Sequence, residues 1–145
     1  LYNNVHVAME SFKEYPLFGT GLGSYKAAYQ KHSLTKNVEI VAYDFEFNST
    51  DGNSLFVRML VELGLVGVGL FFLLIIRGFI YLRVEEEFAE YKIISQAILI
   101  LILLNLMRQG NYFLNGFPLF ILIYYYNWKQ YREALKEKEK SIVNE

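Results

Sequence analysis

The sequence predicts an all-α integral membrane protein, in which a helical segment outside the membrane precedes three transmembrane helices. Three observations predict it. Apolar residues make up 54% of the 145-residue chain and lie in long runs. Those runs are apolar all round the helix rather than along one stripe, which a small soluble domain cannot hide. Basic residues gather in the tail and in one link, which sets an orientation. The alternative is a soluble protein with buried helices.

The first segment, residues 1–54, reads as an ordered outer unit. "NNVHVAMESFKEY" predicts a helix with Val5, Ala8, Met9 and Phe12 at helical spacing, ended by Pro16. "FGTGLGSYKAAYQKHS" predicts a Gly-rich turn and a short helix from Ser24 to about Lys31. "VEIVAYDFEF", residues 38–47, is open between a strand and an extended loop. "NSTDGNS" is turn-rich, and Asp51 or Asn53 is expected to cap the first span.

Residues 55–128 hold the spans. A helix of about 20 residues at ~1.5 Å rise crosses a hydrocarbon core of about 30 Å. Residues 55–82 meet that length, with Glu62 the sole interruption between Met59 and Ile76. Residues 93–107, "IISQAILILILLNLM", sit at the lower edge. Residues 112–128 end in "YYYNW", which resembles an aromatic interface belt. "RQGN" then joins the last two spans as a hairpin.

Lys129, Arg132, Lys136, Lys138 and Lys140 lie in the tail, residues 129–145. Arg77, Arg83 and Lys92 lie between the first two spans. Short basic loops stay in the cytoplasm. The tail and the 77–92 link are therefore inside, and the "RQGN" turn and residues 1–54 are outside. "VEEEFAEYK" in the inner link reads as a solvated amphipathic stretch. The chain starts at Leu1 with no basic leader, which predicts a piece of a larger polytopic protein.

With no Cys, neither a disulfide framework nor a thiolate metal site is available. The net charge of −1 argues against a nucleic-acid partner. His6 and His32 have no carboxylates at ligand spacing, so no metal site is expected.

Three stretches carry candidate chemistry. In "PLFGTGLGSY" close glycines allow a tight turn, and their N–H groups suit an anion; a structural turn is the stronger reading. In "DGNSLFVRMLVELG" Ser54, Arg58 and Glu62 recur every four residues and share a helix face. Charges in a membrane segment usually face protein or a wet cavity. Arg58 suits a phosphate at the outer surface, and an Arg58–Glu62 pair holding the helix end is the equal alternative. In "LMRQGNYF" Arg108 and Gln109 lie in a short outer turn, where Arg108 can converge with Arg58 on one diphosphate or simply snorkel toward headgroups. Asp44, Glu46 and Asp51 are outer carboxylates, any of which is a candidate base for a sugar hydroxyl or a solvated loop acid. Gly64, Gly67 and Gly69 are expected to let helices approach closely.

"YPLFGTGLGSY" followed by "NSLFVRMLVELGLVG" resembles the O-antigen ligase and polymerase superfamily of bacterial inner-membrane glycosyltransferases. Ser54, then nine residues, then Gly64 and Gly67 fit that family's spacing. The likeness covers most of the chain, including the hairpin with "RQG". Where the ligases carry His, this chain has Asn53, and Asn is not a general base. The upstream Arg and Trp of the family are also absent. The loss of that His favours the polymerase side.

The resemblance implies transfer of a glycan from undecaprenyl diphosphate to an acceptor hydroxyl at the periplasmic face. The acceptor is a second glycan, or lipid A-core for a ligase. It further implies that Arg58 and Arg108 hold the diphosphate, with Gln109 beside them, and that Glu62 orients Arg58. Asp51, Asn53 and Ser54 would line the acceptor side. No nucleotide sugar, metal or other cofactor is expected; membrane lipid and a chain-length regulator are the further partners. The rivals are an O-antigen ligase, a protein O-oligosaccharyltransferase, and a non-catalytic transporter or assembly subunit. A transporter would place ionisable groups near mid-bilayer, whereas here they cluster at the outer interface.

Overall fold

A computed structural model of the chain describes residues 2–34, 49–50, 52–80, 86–108 and 110–143. The described residues are helical and contain no strand. Five helices follow in order: α1 (Tyr2–Glu14), α2 (Tyr25–His32), α3 (Leu55–Gly78), α4 (Ala89–Arg108) and α5 (Phe117–Val143), with short 3-10 turns at Glu86–Phe88 and Leu114–Gly116. The strand-or-loop segment 38–47, Asp44 and Glu46 within it, lies outside the described residues, as do Asp51 and Gln109.

α3 and the stretch Glu86–Arg108 are long and apolar enough to cross a membrane. Only 33% and 22% of their most apolar stretches are buried, the reverse of a soluble core helix. Leu65, Leu70, Leu73 and Ile76 of α3 and Ile93, Ile100, Leu104 and Met107 of α4 are exposed, an apolar surface that lipid or further helices would cover. α5 differs from the expected third span. It starts at Phe117, because Tyr112–Gly116 form turns with Asn115 and Gly116 in the left-handed region. Its apolar part, 117–128, covers about 18 Å at helical rise, short of a full core.

α4 and α5 pack as the expected hairpin and enclose one core with α3, built on Leu55, Met59, Val68, Ile75, Ile102, Leu106, Phe117 and Tyr124. A second core, of Val7, Ala8, Tyr25, Ala28, Tyr29 and Val61, joins α1 and α2 to the first part of α3. α1 buries Asn4, Val7, Ala8 and Ser11, while Val5 and Met9 are exposed. Of the expected apolar face, Ala8 is buried as expected, and the small side chains Ala8 and Ser11 allow a close approach.

α3 is broken at Gly64, with φ 61° and ψ −162°. A broken helix leaves donors and acceptors open on both sides. The Gly-rich loop closes them. Leu65 N–H donates to Pro16 O (2.9 Å) and Val66 N–H to Leu17 O (3.0 Å), while Thr20 N–H donates to Val61 O (2.8 Å) and Gly21 N–H to Glu62 O (3.0 Å). "PLFGTG" is thus a structural turn whose partner is a helix break. Gly64 serves that break rather than helix packing, and Gly69 faces open space.

The C-terminal end of α3 is also capped by other helices. Tyr124 OH donates to Ile75 O (2.8 Å) and Ser95 Oγ to Gly78 O (3.3 Å). The described part of the "VEEEFAEYK" stretch is not wholly solvated. Phe88 is buried against Tyr131 of α5 (ring centroids 5.8 Å), and Lys138 pairs with Glu87 at 2.7 Å. The tail through Val143 continues α5 as one helix.

Candidate functional site

The candidate residues lie where α3 begins. Gly52 and Asn53 both take positive φ, 70° and 57°. Asn is among the few side chains that tolerate this region, so position 53 is constrained by the turn. The cap of α3 is Ser54 rather than the expected Asp51 or Asn53. Its Oγ accepts from Val57 N–H at 3.5 Å and donates to Leu106 O at 2.9 Å, tying the head of α3 to the end of α4.

One turn on, Arg58 Nε donates to Glu62 Oε1 at 2.9 Å. Its Nη1 donates to the Gly110 carbonyl at 2.9 Å, and the guanidinium lies 5.0 Å from the centre of the Tyr112 ring. Ser54, Arg58 and Glu62 do share a face, and it is turned toward the α4–α5 link. Glu62 is fully buried. Its Oε1 also accepts from Tyr25 N–H at 3.2 Å, which places the start of α2 against the pair. Glu62 Oε2 and Tyr112 OH are both buried at this junction.

Arg108 stands apart. It ends α4, is exposed, and borders a groove of ≈ 590 Å³ walled by Leu101, Leu104, Met107 and Phe120, with Asn105 and Asn115 as its neutral polar members. No described contact joins Arg108 to Arg58. The two cations are therefore held differently: Arg58 is neutralised by Glu62 and bonded to the link, and Arg108 faces the groove.

A cleft of ≈ 350 Å³ lies between α1, α2 and the Gly-rich loop, lined by Glu14, Thr20, Ser24, Lys31 and His32 among others. Its charges are matched. Lys31 hydrogen-bonds to Glu14, and that bond, opposed by desolvation, holds the Glu14 carboxyl below and the Lys31 ammonium above their ordinary values. His32 Nε2 is 3.7 Å from Glu14 Oε1. No cluster of three metal-ligating side chains occurs among the described residues.

Tyr25, Gly110 and Tyr112 are the site members that sequence reasoning missed. Tyr112 sits inside "LMRQGNYF", two residues from a glycine in a short turn, which is the signal that it belongs to the turn rather than to the start of a span. No protein-family model matches the chain, and neither a curated protein nor a solved structure is significantly similar to it.

Proposed function

We propose that this chain is part of a bacterial inner-membrane glycosyltransferase of the O-antigen polymerase and ligase type. It would transfer a glycan from undecaprenyl diphosphate to an acceptor hydroxyl at the periplasmic face. In this reading α5, with the turns before it, makes the third crossing. Residues 1–54 lie outside and the tail inside.

The observation that carries the reading is the Arg108 groove. An exposed guanidinium at the end of a membrane helix borders a groove with leucine, methionine and phenylalanine walls. That combination suits a polyprenyl chain ending in a diphosphate, since Arg grips phosphate oxygens bidentately. The charge would also stabilise the diphosphate as it leaves. A supporting observation is that the two stretches carrying the family resemblance form one hydrogen-bonded unit at the Gly64 break.

Arg58 then acts mainly by position. Its bonds to Glu62 and Gly110 fix the link that follows Arg108. The acceptor would approach the Gly52–Asn53 turn, with Asp51 beside it in sequence as the candidate base.

The test is Arg108→Ala and Arg108→Lys in the producing cell, reading surface glycan on a gel beside the membrane level of the protein. Collapse of the long-chain ladder to single repeat units in Arg108→Ala, with partial rescue by Lys, supports a polymerase. Retained ladder length with lost attachment to lipid A-core supports a ligase. An unchanged glycan at normal protein level in both variants refutes the reading.

A further inference from the structure

A second groove lies at the opposite, inner end of α3. It has a volume of ≈ 360 Å³ and runs between α3 and α5, lined by Leu70, Leu73, Leu74, Arg77, Tyr125 and Trp128. Leu70, Leu73, Leu74 and Arg77 follow helical spacing, so they form one strip about 10 Å long with the cation at its inner end. The floor is fixed. Tyr124 lies so close to Gly78 that a Cβ there would stand 2.3 Å from its ring, and its hydroxyl is bonded to Ile75 O.

Arg77 is exposed and lies 5.9 Å from the centre of the Trp128 ring. No carboxylate among the described residues pairs with it. Lys129, next to Trp128, already has Glu133 at 3.9 Å. A guanidinium at a membrane interface, stacked on an indole and without a carboxylate partner among the described residues, presents its N–H fork to a phosphate. The wall above it is hydrocarbon.

We propose that this groove is a binding site for an anionic phospholipid of the inner leaflet, with its phosphate on Arg77 and one acyl chain along Leu74, Leu73 and Leu70. The proposal rests on α3 crossing a membrane. It is independent of the reaction at the outer end. A single basic residue near the surface favours an anionic over a zwitterionic headgroup by about fivefold.

Trp128 is the only tryptophan in the chain, so it reports this groove directly. The chain is reconstituted in vesicles with acyl chains brominated on either phosphatidylglycerol or phosphatidylcholine, at equal total composition. Flotation of the vesicles is checked first. The expected result is about fivefold stronger apparent binding of the phosphatidylglycerol quencher, lost in Arg77→Gln and kept in Arg132→Gln, which lies on the tail outside the groove. Arg77 makes no described hydrogen bond to protein, and a thermal melt of Arg77→Gln matching wild type checks that the fold is kept. Equal quenching by both lipids overturns the proposal. So does a preference that survives Arg77→Gln, or one that Arg132→Gln abolishes as fully, since either marks a diffuse charge effect. A chain that does not float with vesicles overturns the membrane reading and the proposal together.

Discussion

Gly19 and Gly64 meet backbone to backbone. A Cβ built on Gly64 would stand 2.5 Å from Gly19 N, and one built on Gly19 would stand 2.6 Å from Glu62 O. Both residues have positive φ, 67° and 61°. Neither contact has a flexible side chain that can yield. Gly64→Ala is therefore expected to destabilise the protein by roughly 2–5 kcal/mol, from backbone strain and overlap together. Gly69→Ala, which meets open space, serves as the control. Thermal unfolding of the purified chain in detergent checks both, and a melting temperature unchanged in Gly64→Ala would show that the loop does not dock on the break.

The Arg58–Glu62 pair predicts a non-additive response. Glu62→Ala leaves a cation bonded to the link without its counter-charge, at a cost of about 3–5 kcal/mol. Arg58→Met alone strands the buried carboxylate and costs about the same. The double variant Arg58→Met with Glu62→Leu is expected to be milder than either. A double-mutant cycle on unfolding free energies measures this, and additive losses would show that the two groups are not coupled.

Tyr124 OH satisfies the Ile75 carbonyl, one of the last four acceptors of α3, where no following turn can do so. Tyr124→Phe removes the donor and leaves a buried acceptor, at a cost of about 1–3 kcal/mol. The ring packing is kept, so α4 and α5 should stay in place. Denaturant unfolding in detergent gives the size. Wild-type stability in Tyr124→Phe would mean that another group caps Ile75.

The Glu14–Lys31 tie between α1 and α2 predicts a small pH dependence. The folded Glu14 value is depressed, chiefly by the Lys31 hydrogen bond. Its contribution is therefore complete above the ordinary carboxylate range and is lost as pH falls through the lowered folded value. The side chains are exposed, so the effect on stability is slight. A carboxyl titration followed by NMR should place Glu14 below an ordinary glutamate, and Lys31→Ala should move it back up. An unmoved midpoint would show that the pair is not formed.

Much of the fold was legible because it rests on local causes. α1 ends before Pro16, α2 starts after Ser24 and α4 ends at Arg108, much as spacing and turn residues indicate, whereas α5 starts only at Phe117. Within the candidate site, the shared face of Ser54, Arg58 and Glu62 followed from fourfold spacing alone. What that face meets did not. Gly110 and Tyr112 approach Arg58 across 52 and 54 positions of chain, and Tyr25 approaches Glu62 across 37. Ser54 took the cap because Asn53 is held in a left-handed turn.

By itself the sequence determined where the two long apolar helices, α3 and α4, run, because apolar length and composition depend on some twenty consecutive residues and on nothing distant. It also determined that Arg58 and Glu62 lie one turn apart on one face of α3. Only the tertiary structure decided that α3 breaks at Gly64. Four backbone groups opened by the break need partners, and those come from Pro16, Leu17, Thr20 and Gly21, more than 40 residues earlier. The tertiary structure likewise decided that Arg58 is bound to protein while Arg108 and Arg77 face grooves. A side chain's charge is written in its residue type, but whether that charge is already matched depends on what folding brings within reach of it.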